Sequence, residues 1–354
     1  MRKSMIMRVI LFCLSTYLIF ISCQHADKST TGSSQSVSQY FNYGDSGVQS
    51  GGVRMITIKT PVGHFKVWTK RFGNNSRIKI LLLHGGPAMT HEYMECFESF
   101  FPKEGFEFYE YDQLGSYYSD QPKDSSLWTI ERFVEEVEQV RQAIGADSTN
   151  FYILGNSWGG LLAMEYALRY QKNVKGLLVA NMVASAPEYS KYADEVLAKQ
   201  MDPNVLAEIR ALEAKGDFSN PRYMGLLIPE FYKKHLCRLE EWPDGFNRSM
   251  KHANGEIYTM MQGPSEFGIG GRLANWDVKG KLKELTIPTL MIGGKYEQYC
   301  LFTMGLGHMK AGQRDRRRCR VLLPGDLADP QRPARRARRH AAAGGGVPAP
   351  ASRG

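Results

Sequence analysis

Ser157 stands at the centre of Gly155-Asn156-Ser157-Trp158-Gly159, a G-x-S-x-G pentapeptide. Phe151 to Leu154 before it is apolar, with β-branched and aromatic residues, and Leu161 to Tyr170 after it favours helix. A strand, a sharp turn and a helix in that order lift a serine Oγ above the edge of a sheet, where it can attack a carbonyl carbon and form an acyl-enzyme. The glycines two residues to either side are expected because a Cβ there would collide with the neighbouring strand and helix.

Acyl transfer also needs donors for the oxyanion. Ile78 to Leu83 is a near-continuous apolar run of the kind found in strands buried on both faces, and it ends in His84-Gly85-Gly86-Pro87. A glycine-rich turn after a buried strand lets bare backbone N–H groups face a site, and the N–H of Trp158, the residue after the nucleophile, is the natural second donor.

These turns need a sheet and helices to hold them. Val53 to Lys59 and His64 to Thr69 alternate across Pro61-Val62-Gly63, which predicts a hairpin. Phe106 to Tyr111 reads as a further strand, followed by Asp112-Gln113-Leu114-Gly115. Thr129 to Ala143, with Ile130, Phe133, Val137 and Val140, has helical spacing. Gly176 to Ala180 is a buried strand, and the next is Pro288 to Gly294. Between them, residues 184–285 are mostly helical in pattern and are expected to lie as a cap over the strand ends, where open parallel sheets bind ligands. The β/α alternation on either side specifies an α/β sheet. The 354 residues, 43% of them hydrophobic, suffice for one large domain with such an insertion.

The N-terminus reads differently. Arg2, Lys3 and Arg8 precede an uncharged apolar run, Val9 to Ile21, too short for a membrane span of ~20 residues and suited to a secretory signal over residues 1–22. Ser22-Cys23 at its end resembles a bacterial lipoprotein cleavage site with Cys23 as the lipidated residue, although Phe20 stands where an aliphatic residue is usual. Residues 23–52, rich in Ser, Thr, Gly and Gln, form an expected flexible tether. The expectation is export across the inner membrane of a bacterium, to the periplasm or a lipid anchor. Cys96, Cys237, Cys300 and Cys319 are widely spread, with neither a metal-ligand spacing nor a disulfide framework.

His84-Gly85-Gly86-Pro87, Asp112-Gln113-Leu114-Gly115-Ser116, Gly155-Asn156-Ser157-Trp158-Gly159-Gly160, Phe231 to Arg238 with Trp242-Pro243, and Gly263-Pro264-Ser265-Glu266-Phe267 together resemble the proline iminopeptidases. The resemblance runs from about Val53 to Tyr296. It implies an α/β-hydrolase fold with a mostly helical cap inserted between sheet strands. It also implies a serine aminopeptidase that releases N-terminal proline from small peptides, with no metal or organic cofactor. On that pattern Ser157 is the nucleophile, the N–H groups of Gly86 and Trp158 form the oxyanion hole, and Glu266 and Glu230 bind the substrate's α-amine. Ala88 departs from the glycine usual after His-Gly-Gly-Pro.

The acid and the histidine should come after the cap. Where the family has Asp after Gly-x-Tyr, this chain has Glu297 after Lys295-Tyr296, a carboxylate one methylene longer. Only His308 and His340 come later, His308 eleven residues past Glu297, closer than a helix and a strand between them would allow. The core is expected at 53–183 and, incomplete, at 286–312. Residues 313–354 hold eleven arginines against three aspartates and no lysine, and so carry +8 of the chain's +9. Such a tail could tether nucleic acid or an acidic membrane. Its Arg, Ala, Pro and Gly content fits better a frame-shifted or misjoined end, and no nucleic-acid partner is expected. An esterase or lactonase on the same scaffold, and an inactive pseudo-enzyme lacking its base, are the alternatives.

Overall fold

The computed structural model describes residues 37–42, 52–294 and 319–322. Contacts divide the chain into one unit through Gln39 and a second from Tyr40 onward. The sheet, its helices and the serine turn all belong to the second unit.

Among the described residues, eight strands form one sheet in the order β1-β2-β4-β3-β5-β6-β7-β8. β1 (Val53–Thr60) and β2 (Gly63–Phe72) make the expected hairpin, with Thr60 opposite Gly63. β2 also pairs antiparallel with β4 (Glu107–Asp112), and every later pairing is parallel, through β3 (Lys79–Leu83), β5 (Phe151–Asn156), β6 (Gly176–Ala180), β7 (Thr289–Ile292) and β8 (Cys319–Leu322). The chain passes from β3 to β4 on one side and then crosses back over β3 to β5 on the other. That reversal opens a crevice beyond the carboxyl ends of β3 and β5, the ends that carry His84 and Ser157. β8 lies inside the segment read as a tail.

The two principal helices follow the apolar spacing. Helix α1 (Ile130–Ala143) starts at Thr129, whose side chain accepts the Arg132 N–H, and buries Phe133, Val137 and Val140. Helix α2 (Trp158–Tyr170) starts directly after Ser157 and is buried along most of its length, its Leu161, Leu162, Tyr166 and Ala167 joining the main core with Leu81, Leu83 and Ile153. A helix covered on both sides this thoroughly is fixed by packing rather than by an amphipathic stripe.

Between β6 and β7 the chain is helical, as its pattern predicts: α3 (Ala186–Tyr192), α4 (Pro203–Ala214), α5 (Pro221–Leu227), α6 (Asp244–His252) and α7 (Gly255–Met261). Pro at the first turn of α3, α4 and α5 follows capping Ser185, Asp202 and Asn220. The insertion has two allegiances. Leu197, Ile209, Tyr223, Leu227, Phe231 and Phe267 make a hydrophobic core of their own, whereas Ile257, Met261, Leu273 and Val278 belong to the main core. Among the described residues no helix is long and apolar enough to cross a membrane.

Candidate active site

Ser157 has φ 52° and ψ −125°, a strained conformation for a residue with a Cβ, and its N–H is held by the Ala180 carbonyl at 3.0 Å. Its two glycines are required sterically. A Cβ on Gly155 would come within 1.9 Å of the Gly159 carbonyl oxygen, and one on Gly159 within 2.0 Å of the Leu83 carbonyl oxygen. The helix after the serine therefore starts against the end of β3, and the serine is forced up between strand and helix.

The loop after β3 lies beside it. A Cβ on Gly85 would meet the Ser157 Cβ at 3.1 Å and the Tyr93 hydroxyl at 3.2 Å. The Gly85 N–H is already donated to the Tyr93 hydroxyl at 2.7 Å, and that hydroxyl donates to Asn156 Oδ1 at 2.9 Å. Gly86, at φ 111°, is the next N–H along. Trp158 is the first residue of α2, so its N–H has no carbonyl four residues back to bond within the helix.

Gln113 joins the three turns. Its Oε1 accepts the Trp158 indole N–H at 2.8 Å, its Nε2 donates to the His84 carbonyl at 3.1 Å, and its backbone N–H donates to His84 Nε2 at 3.1 Å. With Nε2 accepting, the His84 proton sits on Nδ1 and is donated to the Gly85 carbonyl at 2.8 Å. Complete burial holds the His84 pKa down at about 4 against the pull of Asp112, so the ring is neutral and serves as a strut. His91 is also committed, its Nδ1 donating to Asp112 Oδ1 at 2.9 Å.

A cavity of about 660 Å³ opens above the serine, and Ser157, Trp158, Tyr93, Phe231 and Glu266 are among the residues that line it. Glu266 accepts the Tyr258 hydroxyl at 2.6 Å on Oε1. Its backbone is pinned by two more tyrosines, Tyr232 accepting its N–H and Tyr189 donating to its carbonyl. Burial raises the Glu266 pKa, and the Tyr258 hydrogen bond only partly offsets this. A carboxylate so poorly solvated gains from a cation placed beside it.

The structure thus brings Ser157, Trp158 and Glu266 to one cavity. It does not bring Glu230 there: that side chain turns to Lys234, 2.8 Å away on the outside of the same helical segment, Ile228–Leu236. An isolated Glu one turn before a Lys on a solvated helix face forms that pair by default. Glu297, His308 and Cys23 lie outside the described residues. No cluster of three metal-ligating side chains occurs among the described residues. Tyr93, Gln113 and Tyr258 are the participants that the sequence did not single out. Only Gln113 left a trace there, in Asp112-Gln113-Leu114-Gly115.

Residues 79–299 match the α/β hydrolase fold family. The proline iminopeptidase of Flavobacterium johnsoniae is 79% identical over 243 residues, 69% of this chain and 82% of that protein. That of Elizabethkingia meningoseptica is 71% identical over 245 residues, with the same coverage. This chain belongs to the proline iminopeptidase family of α/β hydrolases. The solved proline iminopeptidase of Mycobacterium smegmatis, 27% identical, superposes with a TM-score of 0.62 over 82% of this chain and 99% of that one. Family membership gives Ala88 a meaning: it has φ 59°, the left-handed conformation that a glycine adopts freely, and its methyl is buried.

Proposed function

We propose that this protein is a serine aminopeptidase that releases N-terminal proline from peptides through an acyl-enzyme on Ser157. One observation carries the reading: the carboxylate of Glu266, raised in pKa by burial, lines the same cavity as Ser157. An exopeptidase must fix a free α-amine at a set distance from the scissile carbonyl, and an underpaired carboxylate opposite the nucleophile does so. Ser157 attacks the carbonyl of the first residue. The N–H groups of Gly86 and Trp158 receive the oxyanion, the Gly85 N–H being spent on Tyr93. Glu297 takes the acid position, and His308, the nearer of the two later histidines, is the candidate base. The helical insertion acts as the cap that excludes water from this chemistry.

The test is release of p-nitroaniline from proline p-nitroanilide by the full chain, beside Ser157→Ala and His308→Ala. Turnover abolished by the first substitution supports the peptidase. Turnover that survives His308→Ala removes that histidine from the mechanism, and Ser157-dependent hydrolysis of p-nitrophenyl esters without proline release favours the esterase or lactonase reading. A second reading, a binding protein that keeps the cavity without a base, draws on the end of the family match at residue 299, ahead of both His308 and His340. Absence of any Ser157-dependent turnover would favour it.

The apolar run to Ile21 and Cys23 after it support an exported protein anchored through a lipid on Cys23. Cys23→Ser should move the protein from the membrane fraction to the soluble one, and unchanged partitioning would sink the anchor.

A further inference from the structure

The cavity above Ser157 is charged in one sense only. Glu92 and Glu95, from the 3-10 helix His91–Ser99, line it together with Glu266 of the insertion, and no lysine or arginine is among the lining residues. With roughly three residues per turn, Glu92 and Glu95 fall on one edge of that helix and Tyr93 and Cys96 on the next, so four of its residues face the cavity. Tyr93 touches the Gly85 loop beside Ser157, and Glu95 lies one turn beyond Glu92 on the neighbouring edge.

Arg248, on α6, is not among the lining residues, and it bonds Glu92 Oε1 at 2.7 Å, both Glu95 oxygens at 3.3 and 2.5 Å, and Asp244 Oδ2 at 2.7 Å. His252 Nδ1 stands 2.8 Å from Glu92 Oε2, and His91 Nε2 is 3.8 Å from Glu95 Oε1. Glu92 is fully engaged by these partners and 4% exposed, whereas the Glu95 side chain is 31% exposed. His235 is the other histidine of the lining. Three lining carboxylates therefore outnumber one guanidinium that is already shared with Asp244.

The volume matters as well. At about 660 Å³ the cavity falls within the size of sites for drug-sized ligands, about 300–1,000 Å³, and is far larger than one imino-acid residue. An extended residue spans about 3.5 Å, so the carboxylate of a dipeptide lies roughly 7 Å from its own amine. A dipeptide anchored at Glu266 would hold its terminal carboxylate inside the acidic cavity, whereas a longer peptide or a peptide amide would place neutral backbone there.

We infer that the cavity, with the α-amine held at Glu266 as proposed above, selects tripeptides, longer peptides and peptide amides over dipeptides with a free carboxylate, and that Glu95 enforces this selection. A terminal carboxylate held beside Glu95 meets a like charge in a partly solvated site, which is expected to cost the free dipeptide about tenfold in affinity.

The experiment uses the full chain carrying Ser157→Ala, so that binding is read without turnover. Calorimetric titrations with Pro-Ala amide, Pro-Ala and N-acetyl-Pro-Ala amide at neutral pH and low salt separate the two charges. The amide is expected to bind about tenfold more tightly than the free acid, and adding Glu95→Gln should shrink that ratio below about threefold. The acetylated peptide should not bind. Equal affinity for amide and acid, with the acetylated peptide excluded, overturns the inference and leaves the amine anchor standing. Equal affinity for acetylated and free amides overturns the amine anchor, and no binding of any of the three overturns both. A tenfold ratio that Glu95→Gln leaves untouched removes Glu95 as its cause.

Discussion

The Trp158 indole donates to Gln113 Oε1 at 2.8 Å, and the Gln113 side chain donates in turn to the His84 carbonyl, so one buried amide bridges the turn after β5 and the turn after β3. Those turns carry the two proposed oxyanion donors. An oxyanion hole works only if its donors are held where charge will develop, at no reorganisation cost. Gln113→Ala removes the bridge without touching substrate. It is expected to lower kcat for proline p-nitroanilide about 10–100-fold while KM stays within about twofold. Gln113→Glu keeps an acceptor for the indole and loses the donor to His84, so it should fall between the two. A Gln113→Ala protein with unchanged kcat, shown folded by its thermal transition, would remove the amide from any positioning role.

Two glycines separate steric need from tolerance. An added Cβ at Gly159 would lie 2.0 Å from the Leu83 carbonyl oxygen, which belongs to the central strand β3 and cannot retreat. A Cβ at Gly225, in α5, meets nothing within 4 Å. Gly159→Ala is expected to cost more than about 3 kcal/mol, beyond ordinary overpacking, and Gly225→Ala to gain up to about 1 kcal/mol from helix propensity. Urea unfolding midpoints measure both. Equal midpoints for the two variants would contradict the close packing of the elbow against β3.

Legibility in the sequence tracks the range of the forces involved. Strands β3, β5 and β6 were readable because continuous apolar runs such as Ile78 to Leu83 can only be buried on both faces. Ser157 was readable because a local steric constraint fixes its flanking glycines. The hydrogen bonds that complete the site join residues far apart in sequence: Gln113 reaches Trp158 across 45 positions and Tyr93 reaches Asn156 across 63. No local pattern encodes such pairs. Glu266 and Glu230 looked alike as glutamates beside aromatic residues. What distinguishes them is a tyrosine eight residues before Glu266 and a lysine four residues after Glu230, contacts that only the packed helices decide.

Glu266 makes a pH-dependent prediction. Burial lifts its pKa above the ordinary value of 4.5, so the folded protein holds this proton more tightly than the unfolded chain. That term favours folding most below the unfolded value and is lost as pH rises through the folded one. Amine binding runs the opposite way, because only the ionised form attracts a cation. Glu266→Gln should therefore weaken binding of Pro-Ala amide to the Ser157→Ala protein by about 10–100-fold at neutral pH, the loss of a charge-assisted hydrogen bond. The same substitution should leave the unliganded protein as stable as the parent or more so. Titrations across pH should show parental affinity falling on acidification at a pH above 4.5. Affinity flat through that window would mean that the amine is held elsewhere.

Glu110 carries the reverse case to its limit, since no ligand stands to gain from it. Its side chain is fully buried on β4, neither carboxyl oxygen has a hydrogen-bond partner, and Lys70 Nζ is 3.9 Å away while it bonds Glu98 at 3.0 Å. Burial first and repulsion from Glu98 second push its pKa up to about 9, against the attraction of Lys70. The folded protein therefore holds Glu110 protonated at neutral pH, whereas the unfolded chain releases that proton near 4.5. Stability from this group is complete below about pH 4.5 and drains away as pH rises toward 9. Glu110→Met, a neutral side chain of similar length, removes the proton from both states. The variant should gain on the parent as pH rises, by up to about 4 kcal/mol at pH 8 relative to its standing at pH 4.5. Unfolding midpoints in urea at the two pH values decide it, and a gap between variant and parent that does not change with pH would show that Glu110 is ionised in the folded protein.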